Sequence, residues 1–161
     1  MPPTISRMAV LRGRLRAAPA LPRPPWSTAA FADACDGCGD CVGACAAGLV
    51  AIGPDGRAGL DFQRGACSFC GDCATACPTA ALDRDGAPPS VYVADVGPDC
   101  ISLNGIVCRI CDEQCPTGAI RFRPLPGGRS LPRIDAARCD GCGACVAPCP
   151  PAAIRMTDAR A

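Results

Sequence analysis

The sequence predicts an α+β fold of two tandem, loop-rich modules with small sheets and short helices, preceded by a basic N-terminal arm. Two observations lead to this prediction. The first is a fourfold repeat of closely spaced cysteines, which uses all sixteen cysteines of the 161-residue chain. The second is the composition, since Leu, Ile, Val and Phe contribute only 29 residues whereas Gly and Pro contribute 18 each. So few aliphatic side chains make a thin core, and something other than hydrophobic packing must help to order the chain.

The predicted arm, residues 1–30, is basic. It contains five arginines and no acidic residue before residue 27, namely Arg7, Arg12, Arg14, Arg16 and Arg23. Such a segment binds nucleic acid, an anionic membrane or an acidic protein. No stretch reaches the roughly 18 apolar residues that cross a bilayer, so no transmembrane segment is expected. No apolar run follows the arginines as it would in a secretory signal, and we therefore expect a cytoplasmic protein.

The cysteines fall into four sets. Three sets have the spacing C-x2-C-x2-C-x3-C, and in set three the first gap grows to seven residues, which is expected to reshape its loop. The sets are Cys35, Cys38, Cys41 and Cys45; Cys67, Cys70, Cys73 and Cys77; Cys100, Cys108, Cys111 and Cys115; and Cys139, Cys142, Cys145 and Cys149. A unit that recurs along the chain in this way indicates a repeated supersecondary structure.

The residues that flank each set repeat as well. An aliphatic residue lies five positions beyond each last cysteine, and the residue before it is small or aliphatic. These aliphatic residues are Val50, Leu82, Ile120 and Ile154. Strand-like stretches, GLDF, SVYVADV and PRID, precede sets two, three and four. Each unit is therefore predicted as strand, cysteine loop, short helix and strand, with the fourth cysteine at the start of the helix.

The spacing favours iron–sulfur clusters over two alternatives, disulfides and zinc. Thiols three residues apart in one tight loop rarely have the geometry that a disulfide needs. Structural zinc sites pair two C-x2-C knuckles across a longer loop and often include histidine. This chain contains no histidine, which also excludes a Rieske centre. The run C-x2-C-x2-C-x3-C is that of bacterial ferredoxins, so we expect four [4Fe–4S] clusters held by the sixteen cysteines.

In two-cluster ferredoxins the fourth cysteine of each run ligates the other cluster. We pair set one with set two and set three with set four, which gives two bacterial ferredoxin-like modules, although the nearly equal spacers do not by themselves choose the partners. The predicted ligand groups are Cys35, Cys38 and Cys41 with Cys77; Cys67, Cys70 and Cys73 with Cys45; Cys100, Cys108 and Cys111 with Cys149; and Cys139, Cys142 and Cys145 with Cys115. The predicted limits are residues 31–85 for the first module, 86–98 for a linker and 99–161 for the second module.

The residues between the cysteines fit this interpretation. Glycines at positive φ would turn backbone N–H groups toward an anionic cluster, and the candidates are Gly37, Gly39, Gly71, Gly141 and Gly143. Acidic residues beside the cysteines either lower the reduction potentials or are ordinary surface acids. They are Asp36, Asp40, Asp72, Asp112, Glu113 and Asp140.

The chain also resembles the NapF family, the ferredoxin-type accessory proteins of periplasmic nitrate reductase systems. The resemblance rests on the start ISRMAVLRGRLR, on RPPWS at residues 23–27, on the stretched third set and on IRFRP after Cys115. It departs at Ser6-Arg7-Met8, where the family has Ser-Arg-Arg. The resemblance implies a cytoplasmic protein with four clusters that binds the nitrate reductase catalytic subunit before export and assists its maturation. Residues 1–30 would then be the docking arm.

Other functions remain as alternatives. The chain could be a general electron carrier for a quinol-linked or soluble reductase, or a redox-sensing protein whose arm contacts nucleic acid. The arm lacks interleaved aromatic residues for base stacking, so no nucleic-acid partner is expected. No histidine base, P-loop or dinucleotide motif is present, so no independent enzyme is expected. Trp26 and Tyr92 are predicted to be packing residues.

Overall fold

A computed structural model describes residues 20–86 and 92–159 of the chain. The helices are α1 (Phe31–Ala34), α2 (Asp40–Ala44), α3 (Asp72–Thr75) and α4 (Ile110–Glu113). The strands are β1 (Val50–Ile52), β2 (Ala58–Leu60), β3 (Tyr92–Val96), β4 (Ile120–Pro124), β5 (Ser130–Ile134) and β6 (Ile154–Asp158). Small sheets and one-turn helices separated by loops confirm the predicted loop-rich α+β class. Within the two described ranges, no helix has the length and apolarity that crossing a membrane requires.

Two antiparallel pairings build the first half of the chain. Strands β1 and β2, which lie between sets one and two, form a hairpin with Val50 opposite Leu60. Ser27, which precedes set one, pairs with Leu82, which follows set two. The segments before and after the two sets are thereby joined, and sets one and two lie in one unit, which we call module one.

The second half repeats this arrangement with longer strands. Strands β4 and β5, between sets three and four, form a hairpin. Strand β3 precedes set three and pairs along its whole length with β6, which follows set four, with Ala94 opposite Met156. We call this unit module two. An inner hairpin inside an outer strand pair, formed twice, confirms the prediction of two tandem modules.

The pairings move two of the predicted limits. The predicted linker, residues 86–98, includes β3, which belongs to module two because its hydrogen bonds go to β6. The predicted arm, residues 1–30, overlaps module one, because Trp26 is buried and its carbonyl accepts a hydrogen bond from the Asp83 N–H at 2.9 Å. In both cases a segment before the first cysteine set of a module pairs with the segment after its second set. The parts of the arm and linker at residues 1–19 and 87–91 lie outside the described residues.

Two of the helices that carry a third cysteine are single turns introduced by glycine. Gly39 precedes α2 and Gly71 precedes α3, each with φ of 89°, a left-handed conformation that glycine adopts without steric cost. Each turn is complete before the fourth cysteine, so Cys45 and Cys77 lie beyond the helices. The prediction that the fourth cysteine begins the helix was therefore wrong, because the glycine lets the helix start just ahead of the third cysteine.

The buried core follows the predicted repeat. The aliphatic residues five positions beyond each last cysteine are between 2% and 5% exposed: Val50, Leu82, Ile120 and Ile154. The residues before them are buried as well, namely Leu49, Ala81, Ala119 and Ala153. Each set is therefore anchored in the core immediately beyond its last cysteine.

Trp26 and Tyr92 have packing roles. The guanidinium of Arg84 lies 5.9 Å from the centre of the Trp26 ring, within the range of a cation–π contact. Tyr92 is half-buried in β3, and its hydroxyl accepts a hydrogen bond from the Arg23 N–H at 2.7 Å. The two aromatic residues thus fasten the segment that follows residue 19 to both modules.

Candidate metal centres

Cysteines from neighbouring sets meet around shared pockets in module one. The first pocket is lined by four thiols that we call group one: Cys35, Cys38, Cys41 and, from set two, Cys77. The second pocket is lined by group two: Cys67, Cys70, Cys73 and, from set one, Cys45. Each set therefore contributes three thiols to its own pocket and one thiol to the pocket of its neighbour.

Module two shows the same arrangement at one pocket. This pocket is lined by group four: Cys139, Cys142, Cys145 and, from set three, Cys115. Cys115 lies beyond the helical turn α4 that carries Cys111, so its side chain leaves the local loop and faces the neighbouring one.

Group three comprises Cys100, Cys108 and Cys111, with Cys149 as its predicted fourth member. Burial raises the pKa of Cys111 to about 11, and the negative charges of nearby Cys100 and Cys108 act in the same direction. These three thiols therefore lie together. Cys149 is half-buried, and its assignment to group three stays a prediction.

The donors that each pocket gathers from two sets are sulfur atoms, and Asp36 and Asp140 also line the pockets of groups one and four. All sixteen cysteines are free thiols, and the chain has no histidine. In the described ranges, no three Cys, Asp or Glu side chains converge closely enough to hold a single metal ion. Thiolates on one zinc ion would each lie about 2.3 Å from it, whereas those on the corners of a four-iron cube stand farther apart. These sets of four thiols therefore fit a [4Fe–4S] cluster.

The backbone between the cysteines turns as predicted. All five glycines have φ between 74° and 89°: Gly37, Gly39, Gly71, Gly141 and Gly143. Set two differs, because Phe69 occupies the position of Gly37 and Gly141 and still adopts a φ of 55°. Its N–H donates to the Cys67 sulfur at 3.4 Å. Strained residues of this kind concentrate at functional sites, but sequence reasoning missed Phe69 because phenylalanine gives no indication of positive φ.

We call a cysteine that lines the pocket of the neighbouring set a crossing cysteine. Two of these, Cys115 and Cys77, have hydrogen-bond partners at sulfur. The Ala119 N–H donates to the Cys115 sulfur at 3.3 Å, and the Thr117 hydroxyl lies 3.5 Å from it. Burial acts to raise the pKa of Cys115, but the Thr117 hydroxyl and nearby backbone N–H groups outweigh it and lower the pKa below its usual value. The environment of Cys115 thus favours the negatively charged sulfur that a metal requires. Sequence reasoning missed Thr117, although the repeated Cys-Pro-Thr in sets two and three could have indicated it.

Cys77 has surroundings similar to those of Cys115, with the difference that its thiol donates to the Thr79 carbonyl at 3.3 Å. The Thr79 hydroxyl lies 3.6 Å from the Cys77 sulfur. Burial again acts to raise the pKa, and hydrogen bonding by Thr79 and by backbone N–H groups lowers it below its usual value. Group one and group four therefore each contain a crossing cysteine that is stabilised as a thiolate.

The third cysteines have the opposite environment. Burial raises the pKa of Cys73 to about 12, and the neighbouring thiols of both module-one groups add to the rise. Burial likewise raises the pKa of Cys145 to about 12, with nearby Cys111 and Cys139 acting in the same direction. A raised pKa favours the neutral thiol. Bound metal reverses this preference, because a coordinating thiol is deprotonated.

The acidic residues beside the cysteines have local structural roles. Asp36 accepts a hydrogen bond from the Cys38 N–H at 3.1 Å, and Asp140 accepts one from the Cys142 N–H at 3.0 Å. Asp40 and Asp72 lie in the first turns of α2 and α3, where the exposed N–H groups favour negative charge. These four acids thus have local structural roles, and their effect on the reduction potentials stays a prediction.

The long gap of set three folds as a turn fixed to β5. Ser102 is only 1% exposed, and its hydroxyl lies 2.7 Å from that of Ser130. Ile106 and Val107, directly before Cys108, are 59% and 85% exposed. The insertion therefore reshapes the loop, as predicted, and places an exposed apolar pair beside Cys108, which sequence reasoning missed.

Comparison with known families agrees with this geometry. The family described as "4Fe-4S dicluster domain" matches residues 34–81 and 106–153. Each match spans the crossing cysteines of one module, and two dicluster domains imply four [4Fe–4S] clusters. The chain therefore carries four clusters as predicted.

Curated relatives identify the family more closely. The chain is 43% identical over 139 residues to the ferredoxin-type protein NapF of Haemophilus influenzae, covering 84% of this chain and 78% of that protein. It is 36% identical over 151 residues to NapF of Escherichia coli, covering 92% of each chain. It is 37% identical over 139 residues to the methylamine utilization ferredoxin-type protein MauM of Paracoccus denitrificans, covering 74% of this chain and 61% of that protein. With four thiol sets and likeness to NapF along most of its length, the chain belongs to the NapF family of ferredoxin-type iron–sulfur proteins.

Proposed function

We propose that the sixteen cysteines are the ligands of the four clusters, with one cluster in each group. The three pockets that are each lined by four thiols from two sets support this assignment most directly. When bound, a [4Fe–4S] cluster supplies one-electron chemistry. The chain supplies hydrogen-bond donors near sulfur, such as Thr117 and the Ala119 N–H, and these stabilise added negative charge.

We further propose that the protein acts in the cytoplasm, where it binds the catalytic subunit of a periplasmic nitrate reductase before export and assists that subunit's maturation. Membership of the NapF family carries this proposal. In this role the protein is an electron-transfer and maturation accessory protein rather than an enzyme. The segment before residue 20 contributes four arginines and no acidic residue, so it is suited to contact an acidic protein surface.

A general electron carrier is the second candidate function. The likeness to MauM, whose name refers to methylamine utilization, favours it. A carrier serving a quinol-linked or soluble reductase needs accessible clusters but has no reason to prefer an immature enzyme. The two functions therefore differ in partner selectivity.

Double substitutions test the exchange of cysteines between sets. If Cys38 and Cys77 serve one cluster, Cys38→Ala/Cys77→Ala will lose one cluster and keep about three. If Cys38 and Cys70 serve different clusters, Cys38→Ala/Cys70→Ala will keep about two. Mössbauer spectroscopy of anaerobically isolated protein counts the intact [4Fe–4S] clusters. Cys70 and Cys77 belong to the same set but to different groups. Loss of a single cluster in Cys70→Ala/Cys77→Ala would therefore contradict the exchange.

Removal of a hydroxyl tests the hydrogen bond to sulfur. In Thr117→Val the group-four cluster loses a donor that stabilises its more negative, reduced state, so its reduction potential will fall. A hydrogen bond of about 0.5–1.5 kcal/mol corresponds to roughly 20–60 mV for one electron. Potentiometric EPR titration measures the shift. The control is Thr157→Val, whose hydroxyl donates to the Val93 carbonyl at 3.1 Å on an exposed strand; an equal shift in both variants would rule out the proposed effect.

Partner selectivity tests the maturation role. The protein will co-purify anaerobically with the cofactor-free, unexported catalytic subunit and much less with the mature subunit. Replacing Arg12, Arg14 and Arg16 by alanine will weaken this binding about tenfold or more, since three charge contacts are lost. The control replaces three exposed arginines of module two, Arg123, Arg129 and Arg155, by alanine. Equal binding of the mature and immature subunits contradicts the maturation role and supports the general carrier.

A further inference from the structure

The two modules meet where the Phe62 side chain covers Gly143. Phe62 belongs to module one and is 6% exposed. A Cβ atom added at Gly143 would collide with Cδ1 and Cε1 of the Phe62 ring. Glycine at position 143 therefore leaves the space that the aromatic ring fills.

A backbone hydrogen bond crosses the boundary between the modules as well. The Cys67 N–H donates to the Cys142 carbonyl at 2.8 Å. Cys67 belongs to group two and Cys142 to group four, and Gly143 is the residue after Cys142. The ring contact and the hydrogen bond thus join the loops that hold these two groups.

Neighbouring groups also lie together inside each module. Helix α2, which carries Cys41 of group one, packs against α3, which carries Cys73 of group two. In module two, Cys115 lines the group-four pocket and lies just beyond the helical turn α4 that carries Cys111 of group three. Groups one and two are therefore neighbours, and so are groups three and four.

We infer that Phe62 and Gly143 position groups two and four side by side, so that the four cluster sites form one row in the order one, two, four, three. The order differs from that of the sets along the chain, because the loops of sets two and four form the contact between modules. The inference rests on the proposed ligand assignment. It adds the spatial order of the four cluster sites.

The exposed apolar side chains lie at the two ends of this row. Ile52 lines the group-one pocket and is 42% exposed. Ile106 and Val107 precede Cys108 of group three and are more exposed still. Within the described residues, these three are the exposed large hydrophobic side chains. The junction in the middle of the row, by contrast, buries Phe62.

A matched pair of glycine substitutions tests the row. Gly127 lies in the turn between β4 and β5, away from the cysteines, and has the same φ of 77° as Gly143. A Cβ at Gly127 would meet nothing within 4 Å. Alanine therefore strains the backbone at both positions but pushes the modules apart only at Gly143. The measurement is low-temperature EPR of the fully reduced holoprotein, in which spin–spin interaction between clusters weakens as they separate.

We expect Gly143→Ala to lose the part of the interaction that crosses between modules and Gly127→Ala to keep the wild-type pattern. Phe62→Ala/Gly143→Ala, in which the new methyl group has room, will lie closer to wild type than Gly143→Ala alone. If Gly143→Ala binds no iron, Phe62→Ala replaces it, since this change removes the ring without adding atoms and will weaken the same interaction.

The outcomes separate this inference from the proposed function. Four intact clusters with the same EPR spectrum in Gly143→Ala and Gly127→Ala, or an unchanged spectrum in Phe62→Ala, overturn the row but leave the ligand assignment in place. Fewer than four clusters in the wild-type protein, counted by Mössbauer spectroscopy, overturn the assignment and with it the row.

Discussion

The exchange of the fourth cysteine between neighbouring sets is the constraint on which this structure depends. Cys77 of set two lines the pocket of set one, and Cys45 of set one lines the pocket of set two. With a cluster in each pocket, two segments about thirty residues apart in the chain are joined twice through metal. With both clusters bound, the inner hairpin and the outer pairing of module one would be held around a doubly cross-linked centre.

The small core is consistent with this arrangement. Each set is anchored by two buried residues just beyond its last cysteine, such as Ala119 and Ile120, and most strands are exposed on one face. The third cysteines, Cys73 and Cys145, occupy positions in the core that aliphatic residues would otherwise fill. Burial there disfavours a free thiolate, so the fold and the metal depend on each other. The free energy of binding iron thus becomes part of the free energy of folding.

Local spacing predicted much of the fold and of the thiol groups. The C-x2-C-x2-C-x3-C runs indicated the cluster type and the crossing, and the aliphatic residues such as Val50 indicated the anchors. The start of α2 relative to Cys45 could not be predicted, because it depends on the backbone angles of Gly39. The Phe62–Gly143 contact was also missed, because the two residues lie far apart in the chain and no periodic pattern relates them. Sequence patterns report local geometry, whereas contacts between modules depend on shape.

Removal of iron shows whether thiolate–iron bonds order the modules. Anaerobic chelation should strip the clusters from the protein, and far-UV circular dichroism together with size-exclusion chromatography should follow the chain. If thiolate–iron bonds order the modules, the iron-free protein will lose its secondary-structure signal and expand, and both will recover when iron and sulfide are restored. An iron-free protein that stays compact, with native-like dichroism and cooperative unfolding, would contradict the account.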